Sequence, residues 1–379
     1  MDDLRTLTRD LVSIPSHDGE GAAGDAIADW LREHTDATVE RDEAGADDGR
    51  GGNVIARKGS GETTLAFVGH HDVVPPDDSQ TEGDDYAVEE RDGRLYGRGS
   101  ADMKGAVAAA MCAFRDADPS GIELQFVSFV GEEVGGVGAR AAIDRGFVPD
   151  YAVVGEGSTG YSAAGVTDVA VAHKGRRGST LDVSGAAAHA SEPEAGENAI
   201  YRASDAVDVV RDVDFPTTDV MGHTVRGSVA VTEIDGGSAW NVIPERCTVT
   251  IDERTVPDER APLERCEELA GVTWTVDQDL PPMQCDDPDF ADAVLAAARE
   301  AHGGGGGADE TAGETGGDAP QHVVKPHATD AGWLADAGAT CVVCGPAEPG
   351  EAHTADESVS WAVLERCYRI YRGVAERWG

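Results

Sequence analysis

Histidine and acidic residues that could bind divalent metals and activate water occur in five short clusters along the chain. A lone histidine after a strand is often a hydrogen-bonded structural residue, and a single aspartate before a helix often caps that helix. Taken together, however, two histidines and three carboxylates match the needs of two divalent ions that share one carboxylate. The clusters are His70-His71-Asp72, Asp102 in GRGSADMKG, Glu132-Glu133, Glu156, and His353 in EAHTADESV.

A site of this composition predicts hydrolysis of a carbonyl compound. Two metal ions about 3.5–4 Å apart can acidify a water molecule between them and polarise the carbonyl group that it attacks. A nearby carboxylate can take the proton from that water and hand it to a leaving amine. Imidazole and carboxylate ligands suit zinc, with cobalt as the alternative.

The elements that must position these clusters predict an α/β fold with a mixed, largely parallel sheet. Strand-like runs at 63–68, 122–130 and 151–155 alternate with helical runs at 103–116 and 139–145. Strands that alternate with helices are typical of parallel sheets. In such sheets the ligand crevice lies at the carboxyl ends of the strands. Three of the polar clusters directly follow the predicted strands, so we expect them in that crevice.

The pattern changes near residue 165 and returns near residue 282, which predicts an inserted α+β domain. We expect a catalytic domain at 1–168, the insert at 169–281 and the rest of the catalytic domain at 282–379. Within the insert we predict strands at 165–173, 179–183, 227–234 and 246–254 and helices at 197–211 and 258–270. Beyond it we predict a helix at 288–301, a strand at 340–344 and a final helix at 359–377. Residues 303–320 contain eight glycines and are expected to form a flexible surface loop.

Composition excludes several classes of partner. Thirty basic residues against 72 acidic residues give a formal charge of −42, a field that repels nucleic acid and anionic membranes. The acids are spread along the chain and 40% of the residues are hydrophobic, which favours a folded protein adapted to high salt over an acidic tail or a disordered chain. No apolar run approaches the ~20 residues needed to span a bilayer.

The chain is expected to be cytoplasmic and to keep its thiols reduced. Its N-terminus opens acidic and lacks the basic and apolar regions of a secretory signal. Seven scattered cysteines make an odd number, which disfavours a disulfide framework. Cys341 and Cys344 have CxxC spacing but lie in an apolar, strand-like run, so we interpret them as buried structural residues rather than a redox or metal pair.

The order and spacing of these motifs resemble the M20 metallopeptidase/amidohydrolase family over nearly the whole chain, from GHHDVVP at 69–75 to AHTADE at 352–357. This family includes succinyl-diaminopimelate desuccinylases, acetylornithine deacetylases, aminoacylases and glutamate carboxypeptidases. The resemblance implies a zinc-peptidase-like catalytic domain, a ferredoxin-like dimerisation domain as the insert, and two divalent metal ions. It also implies a role for each residue of the clusters.

By this resemblance, Asp102 bridges the two metals. His70 and Glu156 bind one of them, while Glu133 binds the other. His353 completes the ligand set: His70, Asp102, Glu133, Glu156 and His353. Asp72 orients an imidazole ligand, and Glu132 is the general base. Adjacent side chains point in different directions, so one carboxylate of the pair can face a metal while its neighbour faces the water.

The insert carries three further motifs that the resemblance connects with substrate: HKGRRGS, GAAAHASEPEAGENAI and NVIPERCTVTIDER. In dimeric members the histidine that corresponds to His189 reaches the partner's active site, where it stabilises an oxyanion. Asn241 and Arg254 match positions that hold a substrate carboxylate, although a salt bridge at a strand edge also explains Arg254. Arg176 and Ser179 are expected near a succinyl carboxylate. Thr329, in HATDAGW, matches a substrate-binding threonine.

We therefore expect a two-metal hydrolase that cleaves the amide of an N-acyl amino acid and functions as a homodimer. N-Succinyl-LL-2,6-diaminopimelate is the first candidate substrate and N-acetylornithine the second, followed by a dipeptide or another peptide. A binding protein that has lost catalysis should lack Glu132 or a ligand, and a purely structural acidic protein should lack the ordered clusters. All the expected residues are present, which favours an enzyme.

Overall fold

The computed structural model describes residues 1–303 and 319–378. The described residues form two compact units. The first unit comprises Met1–Ala172, Gln284–Lys325 and Thr329–Gly379, and the second comprises His173–Met283 and Pro326–Ala328. Within the described residues, no helix is both long and apolar enough to cross a membrane. The glycine-rich loop predicted at 303–320 lies largely outside the described residues.

Eight α-helices are present in the described chain. They are α1 (Asp2–Ser13), α2 (Gly21–His34), α3 (Gly105–Asp116), α4 (Val137–Asp144), α5 (Ala199–Arg211), α6 (Pro288–Gly303), α7 (Asp330–Asp336) and α8 (Trp361–Ala375). Most of them follow an apolar stripe, whereas α3 is alanine-rich and buried from Gly105 to Phe114. Small side chains at these positions let α3 pack closely against its neighbours.

The described strands number 22. The first nine are β1 (Thr38–Arg41), β2 (Val54–Gly59), β3 (Thr63–His70), β4 (Thr81–Glu82), β5 (Asp85–Tyr86), β6 (Glu89–Arg91), β7 (Arg94–Tyr96), β8 (Ile122–Phe129) and β9 (Tyr151–Val154). The others are β10 (Val169–His173), β11 (Arg176–Ser184), β12 (Ala188–His189), β13 (Thr217–Val220), β14 (His223–Arg226), β15 (Ser228–Gly236), β16 (Val242–Ile243), β17 (Arg246–Arg254), β18 (Val272–Leu280), β19 (Met283–Gln284), β20 (His322–Lys325), β21 (Thr340–Val343) and β22 (Ser358–Ser360).

The largest sheet has the order β1-β2-β8-β3-β9-β21-β10-β19, with β20 also paired to β10. The central pairs β8–β3, β3–β9 and β9–β21 are parallel, whereas the pairs β1–β2, β2–β8 and β10–β21 are antiparallel. The central strands are nearly continuous apolar runs, as expected of parallel strands that are covered on both faces. The predicted mixed, largely parallel α/β sheet is confirmed.

Register brings three polar clusters to one edge of this sheet. His70 is the last residue of β3 and pairs with Phe129 at the end of β8. Val68 pairs with Val154 at the end of β9, so Glu156 follows at a matching height. Gly69 leaves space for α3, because a Cβ there would lie 2.9 Å from Val107 Cγ2. The sequence thus folds its metal-binding candidates to the carboxyl ends of adjacent parallel strands.

The second unit is built on an antiparallel sheet with the order β15-β17-β11-β18. One face of this sheet packs against α5 and a 3-10 helix at Leu263–Glu268. Leu181, Val249 and Ile251 are fully buried in that core. The α-helix predicted at 258–270 is wrong: only the 3-10 turn forms, and it follows Pro262 and ends before Gly271. Strand β18 was not predicted, although its first residues, VTWTV, alternate between apolar and polar as a half-buried strand does.

Candidate metal centre

The carboxylate of Asp102 lies between two imidazoles. Its Oδ1 is 3.2 Å from Nε2 of His70, and its Oδ2 is 3.1 Å from Nε2 of His353. Asp102 sits in the turn that leads into α3, whereas His353 lies in the loop before β22. One carboxylate with an oxygen facing each histidine has the geometry expected of a group shared by two cations.

Two further carboxylates extend the cluster on opposite sides. Oε1 of Glu133 is 2.9 Å from Nε2 of His353, and Oε1 of Glu156 is 3.4 Å from Nε2 of His70. The five predicted ligands therefore converge in the order Glu133, His353, Asp102, His70, Glu156. The side chain of His70 is 2% exposed and that of His353 is 50% exposed, so one end of the cluster is closed and the other is accessible.

The loop after β8 carries Glu132 and Glu133, and hydrogen bonds from its backbone to Asp72 hold it in place. The carboxylate of Asp72 accepts the N–H groups of Glu132 at 3.1 Å and Glu133 at 3.0 Å. Nδ1 of His70 lies 3.0 Å from the backbone carbonyl of Asp72 and 3.3 Å from its Oδ1. Gly131, with a φ of 62°, allows the left-handed turn that begins the loop. Asp72 thus contacts the imidazole as expected, and it also anchors the loop.

Charge in this cluster is strongly perturbed. Hydrogen bonds to Asp102 and Glu133 raise the pKa of His353 to about 10. Burial opposes protonation of His70, yet its bonds to Asp102, Asp72 and Glu156 raise its pKa well above the usual range. Burial also disfavours an ionised Asp102, but the two histidines hold its pKa below the ordinary value. The carboxylates thus favour positive charge on both imidazoles.

Glu132 lies close to this cluster, and it takes part in none of the ion pairs among residues 1–303 and 319–378. An oxygen of its carboxylate groups with the ligand atoms of His70 and Glu156, all within 4.8 Å of one another. Burial, together with repulsion from Glu156 and other acids, raises the pKa of Glu132 well above its usual range. A carboxyl group with a raised pKa can hold a proton near neutral pH, which suits a general acid and base.

The residues present fit a pair of divalent metals. Ligand atoms of His70, Asp102 and Glu133 lie within 4.8 Å of one another. The donors are imidazole nitrogens and carboxylate oxygens, which suit zinc and related ions. The raised pKa values of His70 and His353 indicate that the carboxylates favour cationic partners at this point, and divalent ions would supply that charge instead of protons.

Residues 66–377 match the model of Peptidase family M20/M25/M40. The chain belongs to this family. It is a hydrolytic enzyme, and the resemblance read from its motifs is confirmed.

Two names occur among the curated relatives that are similar to this M20 enzyme. It is 33% identical over 334 residues to an acetylornithine deacetylase of Myxococcus xanthus, with 84% of this chain and 82% of the relative covered. It is 31% identical over 400 residues to a succinyl-diaminopimelate desuccinylase of Xanthomonas oryzae pv. oryzae, with 100% of this chain and 99% of the relative covered. The two names share amide hydrolysis but differ in substrate.

Solved structures share the fold. Aminopeptidase PepT of Bacillus cereus is similar with a TM-score of 0.76 at 20% identity, covering 99% of this chain and 98% of that one. The YXEP protein of Bacillus subtilis, described as a dinuclear metal binding peptidase of the M20 family, gives a TM-score of 0.68 at 15% identity, covering 98% and 96%.

The second unit places two predicted residues at one two-stranded sheet, formed by β12 and β16. His189 on β12 pairs with Val242 on β16, and the N–H of Ala190 donates to the carbonyl of Asn241 at 3.0 Å. The imidazole of His189 is exposed, and its Nδ1 lies 2.7 Å from Oγ of Ser191. His189 and Asn241 therefore sit side by side, and the hydrogen bonds described for the imidazole of His189 involve its Nδ1.

Two predicted arginines share one carboxylate on the sheet of the second unit. Nε of Arg176 lies 2.8 Å from Oδ2 of Asp252, and Nε of Arg254 lies 2.8 Å from Oδ1. Arg176 also donates to Gln278 at 3.1 Å. The salt bridge considered as the alternative for Arg254 is thus present. Both guanidinium groups remain partly exposed, at 43% for Arg176 and 36% for Arg254.

Two other predicted substrate contacts have different surroundings. Ser179 is 1% exposed and lies on β11 with the same parity as Leu181, so its hydroxyl points to the core of the unit. The hydroxyl of Ser179 is thus buried in this structure, and a role for Ser179 in substrate binding stays a prediction. Oγ1 of Thr329 accepts the N–H of Ala331 at 3.2 Å and caps α7. A role for Thr329 in substrate binding stays a prediction.

Several buried charged residues near the cluster were not predicted from the sequence. Nζ of Lys325 donates to Oε2 of Glu156 at 3.0 Å. Asp330 is buried with neither carboxylate oxygen hydrogen-bonded within the described residues, and burial raises its pKa to about 8. Glu357 and Arg98 form a buried pair beside Asp102. The one available signal was composition, because Lys325 is one of only four lysines among 30 basic residues.

Proposed function

We propose that this M20 enzyme is a two-metal deacylase that hydrolyses the amide of an N-acyl amino acid. The observation that carries the proposal is the placement of Asp102 between His70 and His353. His70, Asp102, Glu133, Glu156 and His353 would hold two divalent ions, with zinc expected and cobalt as the alternative. When bound, such ions acidify water and polarise a carbonyl group.

Glu132 is the proposed general base. Its carboxylate would accept a proton from the attacking water and pass it to the amine nitrogen as the amide C–N bond breaks. The raised pKa of Glu132, caused first by burial, supports this role because the group can hold the proton between the two transfers. Asp72 would keep Glu132 and Glu133 in place through their backbone N–H groups.

Arg176 and Arg254 are proposed to bind a carboxylate of the substrate. The guanidinium groups are held by a single aspartate, Asp252, which leaves one positive charge in excess on this patch. A planar guanidinium binds a carboxylate through two parallel hydrogen bonds. His189 is proposed to stabilise the oxyanion that forms when water adds to the carbonyl carbon. Asn241 lies beside it and would contribute to the same contact.

We infer that the enzyme acts as a homodimer through its second unit. Strand β15 is an edge strand, and an unpaired edge is a template for pairing with another chain. Ile234 on this strand is 55% exposed, and Tyr201 on the adjacent α5 is 72% exposed. We expect light scattering to report a dimer and Ile234→Lys to yield a monomer. A monomeric unsubstituted chain would contradict the inference.

N-Succinyl-LL-2,6-diaminopimelate is the first candidate substrate. The exposed arginine pair favours an acyl group with its own carboxylate, which a succinyl group has and an acetyl group lacks. N-Acetylornithine is the second candidate, because the relative at 33% identity is named an acetylornithine deacetylase. A dipeptide is the third, since peptidases occur among the structural neighbours.

The deciding experiment compares hydrolysis of the first two substrates in molar KCl with added zinc or cobalt. We expect a higher kcat/KM for the succinyl substrate, and Arg176→Met should raise KM for it by about 10-fold or more. Arg226→Met, a change elsewhere in the second unit, serves as the control. Preference for N-acetylornithine, with KM unchanged in Arg176→Met, would replace the succinyl assignment and keep the metal mechanism.

A further inference from the structure

A buried glutamate links the two chain segments that carry Asp102 and His353. Oε1 of Glu357 accepts two consecutive backbone N–H groups, from Ala101 at 3.0 Å and from Asp102 at 3.1 Å. Glu357 lies four residues after His353 and directly before β22. The side chain of Glu357 therefore holds the backbone of Asp102, and it does so from the loop that carries His353.

The second oxygen of this carboxylate faces an arginine. Oε2 of Glu357 accepts a 2.5 Å hydrogen bond from Nη1 of Arg98, and the side chains are 0% and 4% exposed. Pairing of β7 with β22, in the register of Tyr96 with Ser358, brings these segments together. The N–H of Gly97 also donates to the carbonyl of Glu357 at 3.1 Å. Both carboxylate oxygens and the backbone carbonyl of Glu357 thus accept hydrogen bonds from the segment 97–102.

We propose that Glu357, with Arg98 as its charged partner, is a positioning residue that sets Asp102 relative to His353 for metal binding. The proposal rests on the metal-ligand roles assigned above. Ligands must be held within about 0.5 Å of a productive geometry, and buried partners behind them supply that restraint. Removal of such a partner typically weakens metal binding by about 10- to 100-fold.

Glu357→Gln is the informative substitution because it keeps the shape and removes one acceptor. If the amide oxygen of glutamine faces the N–H groups of Ala101 and Asp102, its NH2 group faces the guanidinium of Arg98, and two donors meet. The reverse orientation sets the NH2 group against the two backbone donors. Either orientation therefore loses the hydrogen bonds of one of the two carboxylate oxygens.

The chain offers a matched control on the same two segments. Arg94 on β7 pairs with Glu351, which lies in the loop that carries His353. Arg94 also donates to Ser358, so this pair resembles the first in chemistry and location. Among the described hydrogen bonds, however, Glu351 accepts none from the turn of Asp102. Glu351→Gln should therefore leave metal affinity unchanged.

The experiment measures zinc affinity of the metal-free full chain by chelator competition. We expect Glu357→Gln to bind zinc about 10- to 100-fold more weakly than the unsubstituted chain, while Glu351→Gln binds as before. Unchanged affinity in Glu357→Gln would overturn the proposal. Asp102→Asn distinguishes failure of the ligand assignment from failure of the positioning role. If both Asp102→Asn and Glu357→Gln bind zinc normally, the ligand assignment is wrong. If Asp102→Asn loses affinity and Glu357→Gln does not, only the positioning role is wrong.

A double substitution distinguishes positioning from general stability. Glu357→Gln leaves the guanidinium of Arg98 buried without its charge partner, which lowers stability. Adding Arg98→Met removes that charge, so Glu357→Gln/Arg98→Met should regain part of the lost Tm. We expect its zinc affinity to stay low, and recovery of affinity together with Tm would overturn the proposal. The double variant also serves if Glu357→Gln alone fails to fold.

Discussion

The backbone N–H of Glu133 donates a 3.0 Å hydrogen bond to Oδ2 of Asp72. The neighbouring N–H, of Glu132, donates to Oδ1 of the same carboxylate. Asp72 also lies against Nδ1 of His70, so it connects the end of β3 with the loop after β8. This buried carboxylate orients a proposed ligand and, at the same time, the loop that carries the proposed base.

Asp72→Asn should therefore reduce activity strongly. The substitution replaces one of the two accepting oxygens with an NH2 group, which then faces the backbone N–H of Glu132 or of Glu133. We expect kcat to fall by about 10- to 100-fold. Steady-state kinetics with metal-content analysis checks this prediction. Asp77→Asn, which alters an exposed cap of a 3-10 turn, is the control. Full activity in Asp72→Asn would show that the loop is held by other contacts.

Adjacent glutamates should respond differently to the same substitution. Glu132→Gln should keep both metals and lose about 10²- to 10⁴-fold in kcat, because only proton transfer is removed. Glu133→Gln should lose metal, because its carboxylate contacts His353 at one end of the cluster. Elemental analysis alongside kinetics separates the two outcomes. If Glu132→Gln retained turnover, another group would have to be the base.

Much of the site could be predicted because its residues follow strands. His70, Glu132 and Glu156 come directly after apolar runs, and parallel strands bring such positions together. The contacts of Lys325 and Glu357 were not predictable in this way, because they join segments more than 100 residues apart and no local pattern records them. The burial of Ser179 could have been predicted from the sequence, because alternate residues of β11 face the core. The expectation for Ser179 followed the motif resemblance instead.

His353→Ala should bind one equivalent of metal where the unsubstituted chain binds two. His353 contacts Asp102 and Glu133, whereas His70 and Glu156 form the other, buried end of the cluster. The ions retained after dialysis can be counted by mass spectrometry, with His34→Ala, on the exposed end of α2, as the control. Two retained equivalents would remove His353 from the ligand set.

His302 should make stability depend on pH. Burial lowers its pKa to about 4, and its Nε2 accepts the N–H of Thr167 at 3.0 Å. The unfolded chain takes up the proton near pH 6.5 and the folded chain only near pH 4, so stability falls as pH drops through that window.

His302→Gln keeps an acceptor and should remove about 1 kcal/mol of this pH dependence, after allowance for solvent screening of a partly exposed group. Denaturant unfolding at several pH values measures the change, with His34→Gln as the control. An unaltered slope between pH 4 and 6.5 would contradict the assignment.

Salt should stabilise the whole protein. With 72 acidic and 30 basic residues, the folded chain brings like charges closer together than the unfolded chain does, and this repulsion weakens as ions screen it. The Debye length falls from about 10 Å at 0.1 M to about 3 Å at 1 M salt, so the free energy of unfolding should rise across this range of KCl. Sucrose stabilises through exclusion from the surface rather than screening, and it should reproduce only part of the effect. A stability maximum at the lowest salt concentration would show that the acidic surface is not adapted to high ionic strength.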